Sequence, residues 1–253
     1  MIKGLYAAAS AMLANLTRQE ALAHNISNLD TPGFKQVLVS LEDFAHSPVN
    51  YPPGSNSEIP RREWFAGTLG LGVESSPQET DHADGGLKFT GQPYDLAIQG
   101  PGFFRVQTPD GERYTRDGRF LRDAQGGLVT VDGYQVLNDG GQPVTLADGE
   151  LYIAPDGAIS VNGQAAGRLG IAYFNDPAAE LERDLPNTFR AEGAPTGQAQ
   201  GAVQQGYLEM SNANPSQLMT QMVSVSRAYE AAQQMVQVQD ELLGQAINTL
   251  GRF

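Results

Sequence analysis

The residues that could do chemistry in this 253-residue chain are few and poorly grouped. Its three histidines, His24, His46 and His82, are scattered, and the tightest metal-like set is Glu79, Asp81, His82 and Asp84. That set lies in a polar stretch without the fixed ligand spacing of a zinc or calcium site, and reads as a solvated acidic loop. Cysteine is absent, which removes disulfides, thiolate nucleophiles and thiolate metal ligands. No nucleophile elbow surrounds any serine. Gly100-Pro101-Gly102 lacks the following helix and lysine of a phosphate loop. Arg105, Arg113, Arg116, Arg119 and Arg122 are concentrated, but Asp110, Glu112, Asp117 and Asp123 interleave with them. They read as surface pairs, or contacts to an acidic neighbour, and not as a phosphate clamp. The expectation is a protein with no catalytic residue, no metal and no cofactor.

Charge narrows the partners. Acidic residues outnumber basic ones 29 to 16, for a formal charge of −13. Nucleic acid binding needs clustered Lys and Arg, and an anionic membrane surface repels such a chain. No apolar run approaches the roughly 20 residues of a membrane span. The N-terminal stretch resembles a signal peptide only superficially, because Asn15, Thr17, Arg18, Gln19 and Glu20 interrupt it while the helical spacing continues. It is expected to be retained.

The remaining signals are architectural. Leu5, Ala9, Met12, Leu16, Ala23 and Ile26, with Gln19 between, alternate at four and three residues, the seam of a helix that packs on another helix. Asp30-Thr31-Pro32-Gly33 ends it. At the other end Asn214 can cap and Pro215 suits a first helical position. A long seam follows: Leu218, Met222, Val225, Tyr229, Ala232, Val236, Gln239, Leu243, Ala246 and Leu250. Off this seam the helix carries extra apolar residues, among them Met219, Val223, Met235 and Val238. Its only charges between Ser216 and Leu250 are Arg227, Glu230, Asp240 and Glu241. A solvated coiled coil flanks its seam with Glu and Lys, so a charge-poor surface suits contact on several sides. Subunit packing is therefore expected through Leu5, Met12, Leu16, Ile26, Leu218, Met222, Val225, Tyr229, Val236, Leu243 and Leu250. The alternative is a helical hairpin docked on its own domain.

Between the ends, short runs of Val, Ile, Leu, Tyr and Phe from about residue 88 to 174 are separated by Asp-Gly, Gly-Gly and Asn-Gly turns, the pattern of short antiparallel strands. The expected fold class is α+β: N- and C-terminal helices pairing as a coiled-coil-like domain, with an inserted all-β domain. The expected divisions are 1–34 with 206–253, an extended connection over 35–87 anchored by Trp64 and Phe65, and a β domain over 88–205.

Four segments then carry a resemblance. They are His24 to Lys35 with its Thr31-Pro32-Gly33-Phe34, Tyr94 to Val106 with Gly100, Gly102, Phe103 and Phe104, Tyr114 to Tyr134, and Gln205 to Asn212 followed by Arg227-Ala228-Tyr229-Glu230. In order and spacing the chain resembles flagellar basal-body rod proteins of the rod–hook axial family, most closely the FlgF and FlgG types. The resemblance implies an inner tube of paired terminal helices, with β domains outside, that transmits motor torque across the periplasm to the hook. It implies copies of itself and other rod or hook proteins as partners, and the flagellar type III export apparatus as the route out. It also implies a place in the basal body, with no cleaved signal peptide, no nucleic acid and no direct membrane insertion. The second and fourth segments lean toward the distal-rod type, with a proximal-rod or related hook–basal-body protein as the alternative. The motif residues are Asn25, Asn28, Thr31, Pro32, Gly33, Phe34, Gly100, Gly102, Phe103, Phe104, Gly206, Tyr207, Glu209, Ser211, Asn212, Arg227, Tyr229 and Glu230. Asn25 and Asn28 suit hydrogen bonds to backbone at the corner. Arg227 and Glu230 suit either an intrahelical pair or an ion pair to a neighbour. Two other classes stay open: a coiled-coil β adhesin, which would form a small closed oligomer, and a hydrolase, which would need a perturbed His or carboxylate in a closed pocket.

Overall fold

The computed structural model describes residues 2–50, 65–185, 187–198 and 201–250. In chain order, helix α1 (Ile2–Ser27) is followed by β1 (Val37–Leu38), β2 (Leu41–Asn50), β3 (Phe65–Ser75), β4 (Glu79–Thr80), β5 (Leu87–Phe89) and β6 (Leu96–Gln99). Then come β7 (Phe103–Thr108), β8 (Gly111–Thr115), β9 (Phe120–Arg122), β10 (Leu128–Thr130), β11 (Gln135–Val136), β12 (Leu151–Ile153), β13 (Ala158–Val161), β14 (Gln164–Arg168) and β15 (Ile171–Tyr173). A one-turn helix α2 (Pro177–Glu180), β16 (Leu181–Leu185), β17 (Thr188–Ala191), β18 (Gly197–Gln198), β19 (Ala202–Gln205), β20 (Tyr207–Glu209) and the long helix α3 (Pro215–Leu250) complete the chain. The fold is α+β, with a helix near each end and antiparallel strands between. It divides into two compact units: residues 1–24, 38–78 and 216–253, and residues 25–37 with 79–215.

In the helical unit, α3 begins at Pro215, whose fixed φ suits a first turn, and runs for 36 residues, about 54 Å. Its seam is the inward face. Leu218, Val225 and Ala232 are buried, and Met222, Tyr229, Val236, Gln239, Leu243 and Ala246 are partly covered. Each fully buried aliphatic side chain contributes on the order of 1.5–3 kcal/mol. Leu218 and Val225 are buried within the single chain, and the side chain of Leu250 lies outside the described residues. Helix α1 is rotated relative to expectation. Ala14, Asn15, Ala21, Leu22 and Asn25 are its buried positions, Leu5, Met12 and Ile26 are half-buried, and Ala9, Leu16 and Ala23 are exposed. At Ser10 the neighbouring backbone comes close enough to leave room only for a small side chain. Strand β3 passes over Ser10, whose hydroxyl accepts the Val73 N–H at 3.2 Å. A Cβ on Gly72 would lie 2.4 Å from that hydroxyl. Near the start of α1, a Cβ on Gly4 would meet the Gln239 amide at 3.2 Å.

The stretch expected to be an extended connection over 35–87 holds a hairpin, with β2 and β3 paired antiparallel from Leu41↔Ser75 to Asn50↔Phe65. Pro48 sits opposite Thr68 in it, which a two-stranded ladder tolerates because each strand keeps a free edge. Trp64, and the side chain of Phe65, lie outside the described residues.

In the β unit, the largest sheet runs β16-β17-β8-β7-β11-β10-β9, with β15 also paired to β7. At one of the turn pairs read from the sequence, Asn162 and Gly163 both take positive φ (52° and 77°) to join β13 to β14. Strand β7 explains the paired phenylalanines of the second motif. Adjacent residues of a strand point to opposite faces, so Phe104 enters one core with Leu96, Ile98, Val106 and Phe120, while Phe103 enters another with Tyr114, Phe174 and Phe189. Edge-to-face ring pairs, Phe104–Phe120 at 5.1 Å and Tyr114–Phe174 at 4.9 Å, tie these cores.

Candidate functional site

The β unit contains a buried ionic corner built from three of the four motifs. After α1 ends at Ser27, Thr31-Pro32-Gly33 reverses the chain and Gly33 takes φ +69°. A Cβ there would lie 2.4 Å from the Arg116 carbonyl carbon and the Asp117 nitrogen, so only glycine fits. The turn delivers Phe34 and Lys35 into the interior, both 1% exposed. The Lys35 ammonium donates to Glu209 Oε1 and to the Ala83 carbonyl, each at 2.6 Å. Glu209, also 1% exposed, accepts in addition the Gly85 N–H at 2.9 Å and Arg116 Nη1 at 3.0 Å. Arg116 further donates to the carbonyls of Ile98 (3.3 Å) and Gly100 (2.8 Å), and approaches Asp84 at 3.5 Å. Burial holds the Lys35 ammonium below its ordinary pKa of 10.5, against the opposing pull of Glu209.

The surrounding amides complete the corner. Asn25 accepts the Val37 N–H at 2.8 Å and donates to the Val37 carbonyl at 2.7 Å. Asn212 accepts the Gln36 N–H at 2.8 Å and donates to the carbonyls of Asp81 and Ala83. Asn28 donates to the Ser27 hydroxyl and accepts from the Thr31 hydroxyl, both at 3.2 Å. Ser211 accepts the Ala213 N–H, and the Pro32 carbonyl accepts from Asn187. Gly100 and Gly102 take positive φ (95° and 149°) ahead of Phe103. Gly206, at φ 77°, presents its carbonyl to Thr90 and Gly91, and Tyr207 packs on Phe89 at 5.1 Å.

His82 lies beside this corner with its ring against Phe103 (5.7 Å) and Phe189 (5.2 Å) and both nitrogens enclosed without a hydrogen-bond partner. Burial first, then the positive charges of Lys35, Arg183 and Arg116, lower its pKa to about 4. It lines a cavity of about 300 Å³ with Asp84 and Arg116, beside Pro101, Phe103 and Phe174. Among the described residues, no group of three or more His, Asp or Glu is placed to hold a metal ion. The structure also corrects part of the arginine reading. Arg105 pairs with Glu112 and Arg119 with Asp117 near the surface, but Arg113 and Arg116 are buried, paired with Asp184 and Glu209. Lys35 and Arg116 are the corner residues to which sequence reasoning gave no buried role. The usable signal was a charge set directly in an apolar run, as in Phe34-Lys35 and Leu208-Glu209-Met210.

The helical unit offers a different surface. On α3, Met219 and Val223 lie to one side of the buried seam and Met235, Val238 and Leu242 to the other, all exposed. On α1, Tyr6 and Leu13 are 70% and 67% exposed. Arg227 and Glu230, three residues apart on α3, are exposed and form no ion pair with one another. No helix among the described residues is long and apolar enough to cross a membrane.

Comparison with known proteins places these features. Residues 5–35 match the family described as flagella basal body rod protein, and residues 97–166 the flagellar hook protein FlgE/F/G D1 domain. Residues 204–249 match the flagellar basal body rod FlgEFG protein C-terminal family. The chain is 32% identical to the flagellar basal-body rod protein FlgG of Bacillus subtilis, covering 98% of this chain and 99% of that relative. It is equally 32% identical to the flagellar basal-body rod protein FlgF of Caulobacter vibrioides over the full length of both, and 33% identical to FlgF of Rhizobium meliloti over 99% of each. The charged corner and the two apolar helix surfaces therefore sit within matched segments, and the chain belongs to the family of flagellar basal-body rod proteins, a family of structural proteins.

Proposed function

We propose that this chain is a rod subunit that polymerises through its terminal helices into the axial tube of the flagellar basal body, carrying motor torque toward the hook. The observation that carries the reading is the exposed apolar flanking of α3 on both sides of its buried seam, together with exposed Tyr6 and Leu13 on α1. Apolar surface distributed round a long helix is a contact surface in waiting, since a monomer gains nothing by displaying it. In the assembled state α1 and α3 pair as a coiled-coil-like core, with neighbouring subunits covering the flanks. The partners are further copies and other axial proteins, reached through the flagellar export apparatus with the N-terminal helix retained, at the periplasm-spanning rod. The segments Asp95 to Ile98, Gly102 to Phe104 and Gln205 to Glu209 favour the distal-rod type.

The direct test is sedimentation of the purified full chain against variants lacking residues 2–24 or 216–253. Polymer from the full chain, and none from either deletion while the β unit keeps its tyrosine circular dichroism, supports the reading; equal assembly without both helices overturns it. Complementation separates the subtypes: rescue of motility in cells lacking FlgG, and not in cells lacking FlgF, fits the distal type.

A further inference from the structure

The exposed faces of the two terminal helices are complementary to each other in one direction only. On α1, Tyr6, Ala9, Leu13, Leu16 and Glu20 are all exposed and fall within an arc of about 80° at 100° per residue. On α3, Arg227, Ala231, Met235, Val238 and Leu242 are likewise all exposed and within about 80°. Each stripe lies away from its own helix's buried face, marked by Ala14, Leu22 and Asn25 on α1 and by Leu218, Val225 and Ala232 on α3. The two stripes of one chain therefore do not face each other. Their lengths agree: about 21 Å from Tyr6 to Glu20 and about 22 Å from Arg227 to Leu242. Each carries one charge at one end, Glu20 and Arg227, and neither forms an ion pair among the described residues.

We infer that the α1 stripe of one copy packs antiparallel on the α3 stripe of a second copy, in the register that sets Glu20 against Arg227. This register rests on the polymerising role proposed above and specifies how the contact is made. It puts Leu16 against Ala231, Leu13 against Met235, Ala9 against Val238 and Tyr6 against Leu242, so a large side chain meets a small one at alternate levels, as interdigitating helices require. The charges choose the direction. By sequence position Lys3 then falls opposite residue 244, about one helical turn from Asp240 and Glu241, whereas a parallel arrangement sets Glu20 near those two acids and Lys3 within a turn of Arg227. The ion pair selects register and direction, while the apolar levels supply the contact area.

The experiment is a charge exchange in the full-length chain. Glu20→Arg and Arg227→Glu should each raise the concentration needed for polymerisation about three- to tenfold, and the double exchange should bring it back to within about twofold of the parent. Both positions are exposed, so monomer helicity should be unchanged. A second readout uses the absence of cysteine: Leu13→Cys with Met235→Cys should give a ladder of disulfide-linked oligomers on oxidation. The control pair Leu13→Cys with Met219→Cys, displaced along α3 by about 24 Å, should not, because a disulfide needs Cα atoms within about 7 Å. A double exchange no better than the worse single variant, equal ladders from both cysteine pairs, or cross-linking within one chain overturns the inference. If the parent polymerises while the exchanges have no effect, this register falls and the assembly role stands; if the parent does not polymerise, both fall.

Discussion

Replacing Glu209 by glutamine keeps the shape of the ionic corner and removes its one fully enclosed anion. The carboxylate accepts from Lys35, Gly85 and Arg116, and the two cations beside it are 1% and 3% exposed. A glutamine keeps one acceptor oxygen and turns an NH2 donor toward a group that also donates. Breaking a buried ion pair from one side costs about 3–5 kcal/mol because the remaining charge is uncompensated. Here Lys35 keeps the Ala83 carbonyl, and Arg116 keeps two carbonyls and Asp84, so the lower end, about 3 kcal/mol, is expected. Lys35→Met should cost less, about 1–2 kcal/mol, since Glu209 still holds Arg116 and the Gly85 N–H. The double variant should fall short of the sum of the two. Urea unfolding of the full chain, followed by the tyrosine circular dichroism of the β unit, measures these differences.

The same variant has a pH signature that a packing defect would lack. Lys35 is held below 10.5 in the folded protein, so between its folded value and 10.5 the unfolded chain binds more protons and stability rises with pH. Without Glu209, which pulls that value upward, the folded pKa drops further and the rise begins at lower pH and is larger. A Glu209→Gln protein within 1 kcal/mol of the parent, or one no costlier than Lys35→Met, would refute the reasoning.

Three further outcomes follow from the same structure. His82 is at about 4 when folded against 6.5 when unfolded, so as pH falls through that window the unfolded state takes up the proton and stability declines, by about 1–2 kcal/mol after allowance for partial exposure. His82→Phe should flatten that slope in unfolding curves at pH 6.5 and 4.5; Asp81, held below 3.8, titrates beneath the window. Gly33→Ala places a Cβ 2.4 Å from backbone at positive φ and should cost more than about 2 kcal/mol in thermal unfolding, whereas an open glycine such as Gly133, with nothing near it, should show only the φ penalty. On α3, Val225→Ala should cost about 2 kcal/mol of monomer stability and Val238→Ala under about 0.5, while sedimentation should show Val238→Ala to be the one that weakens polymerisation.

How much of this was legible follows from distance along the chain. Helix α3 was readable almost to the residue, because Asn214-Pro215 is a local start signal and a seam repeated over 36 residues leaves little choice of face. Helix α1 was misread by a rotation. Its inward face carries Ala14, Ala21 and Leu22 with two asparagines, Asn15 and Asn25, which a search for large apolar residues passes over, while Leu13 and Leu16 stay exposed. The β2–β3 hairpin was hidden by Pro48 and the neighbouring proline-rich stretch, although its ladder tolerates that proline on an edge. The ionic corner could not be read at all as a unit. Lys35 and Glu209 are 174 residues apart, and Arg116 lies 93 from Glu209, so nothing local couples them. Each appears in the sequence merely as a charge in a motif.

The two units invert the usual partition of side chains. In the β unit four charged side chains, Lys35, Arg113, Arg116 and Glu209, are buried, and on the helices Tyr6, Leu13, Met235 and Val238 face outward. Both inversions cost stability in a monomer. The corner recovers its cost through geometry, because Asn25, in the last turn of α1, and Asn212, shortly before α3, fix the backbone of the consecutive residues Gln36 and Val37. The segment leaving α1 and the segment entering α3 are thereby held to one short stretch of chain by directional bonds, with Lys35 and Glu209 as the charged pair beneath it. A hydrophobic replacement of that pair could match its stability, but it would not specify which strand meets which. In the assembly proposed above, that specification fixes the segments that lead out of one terminal helix and into the other.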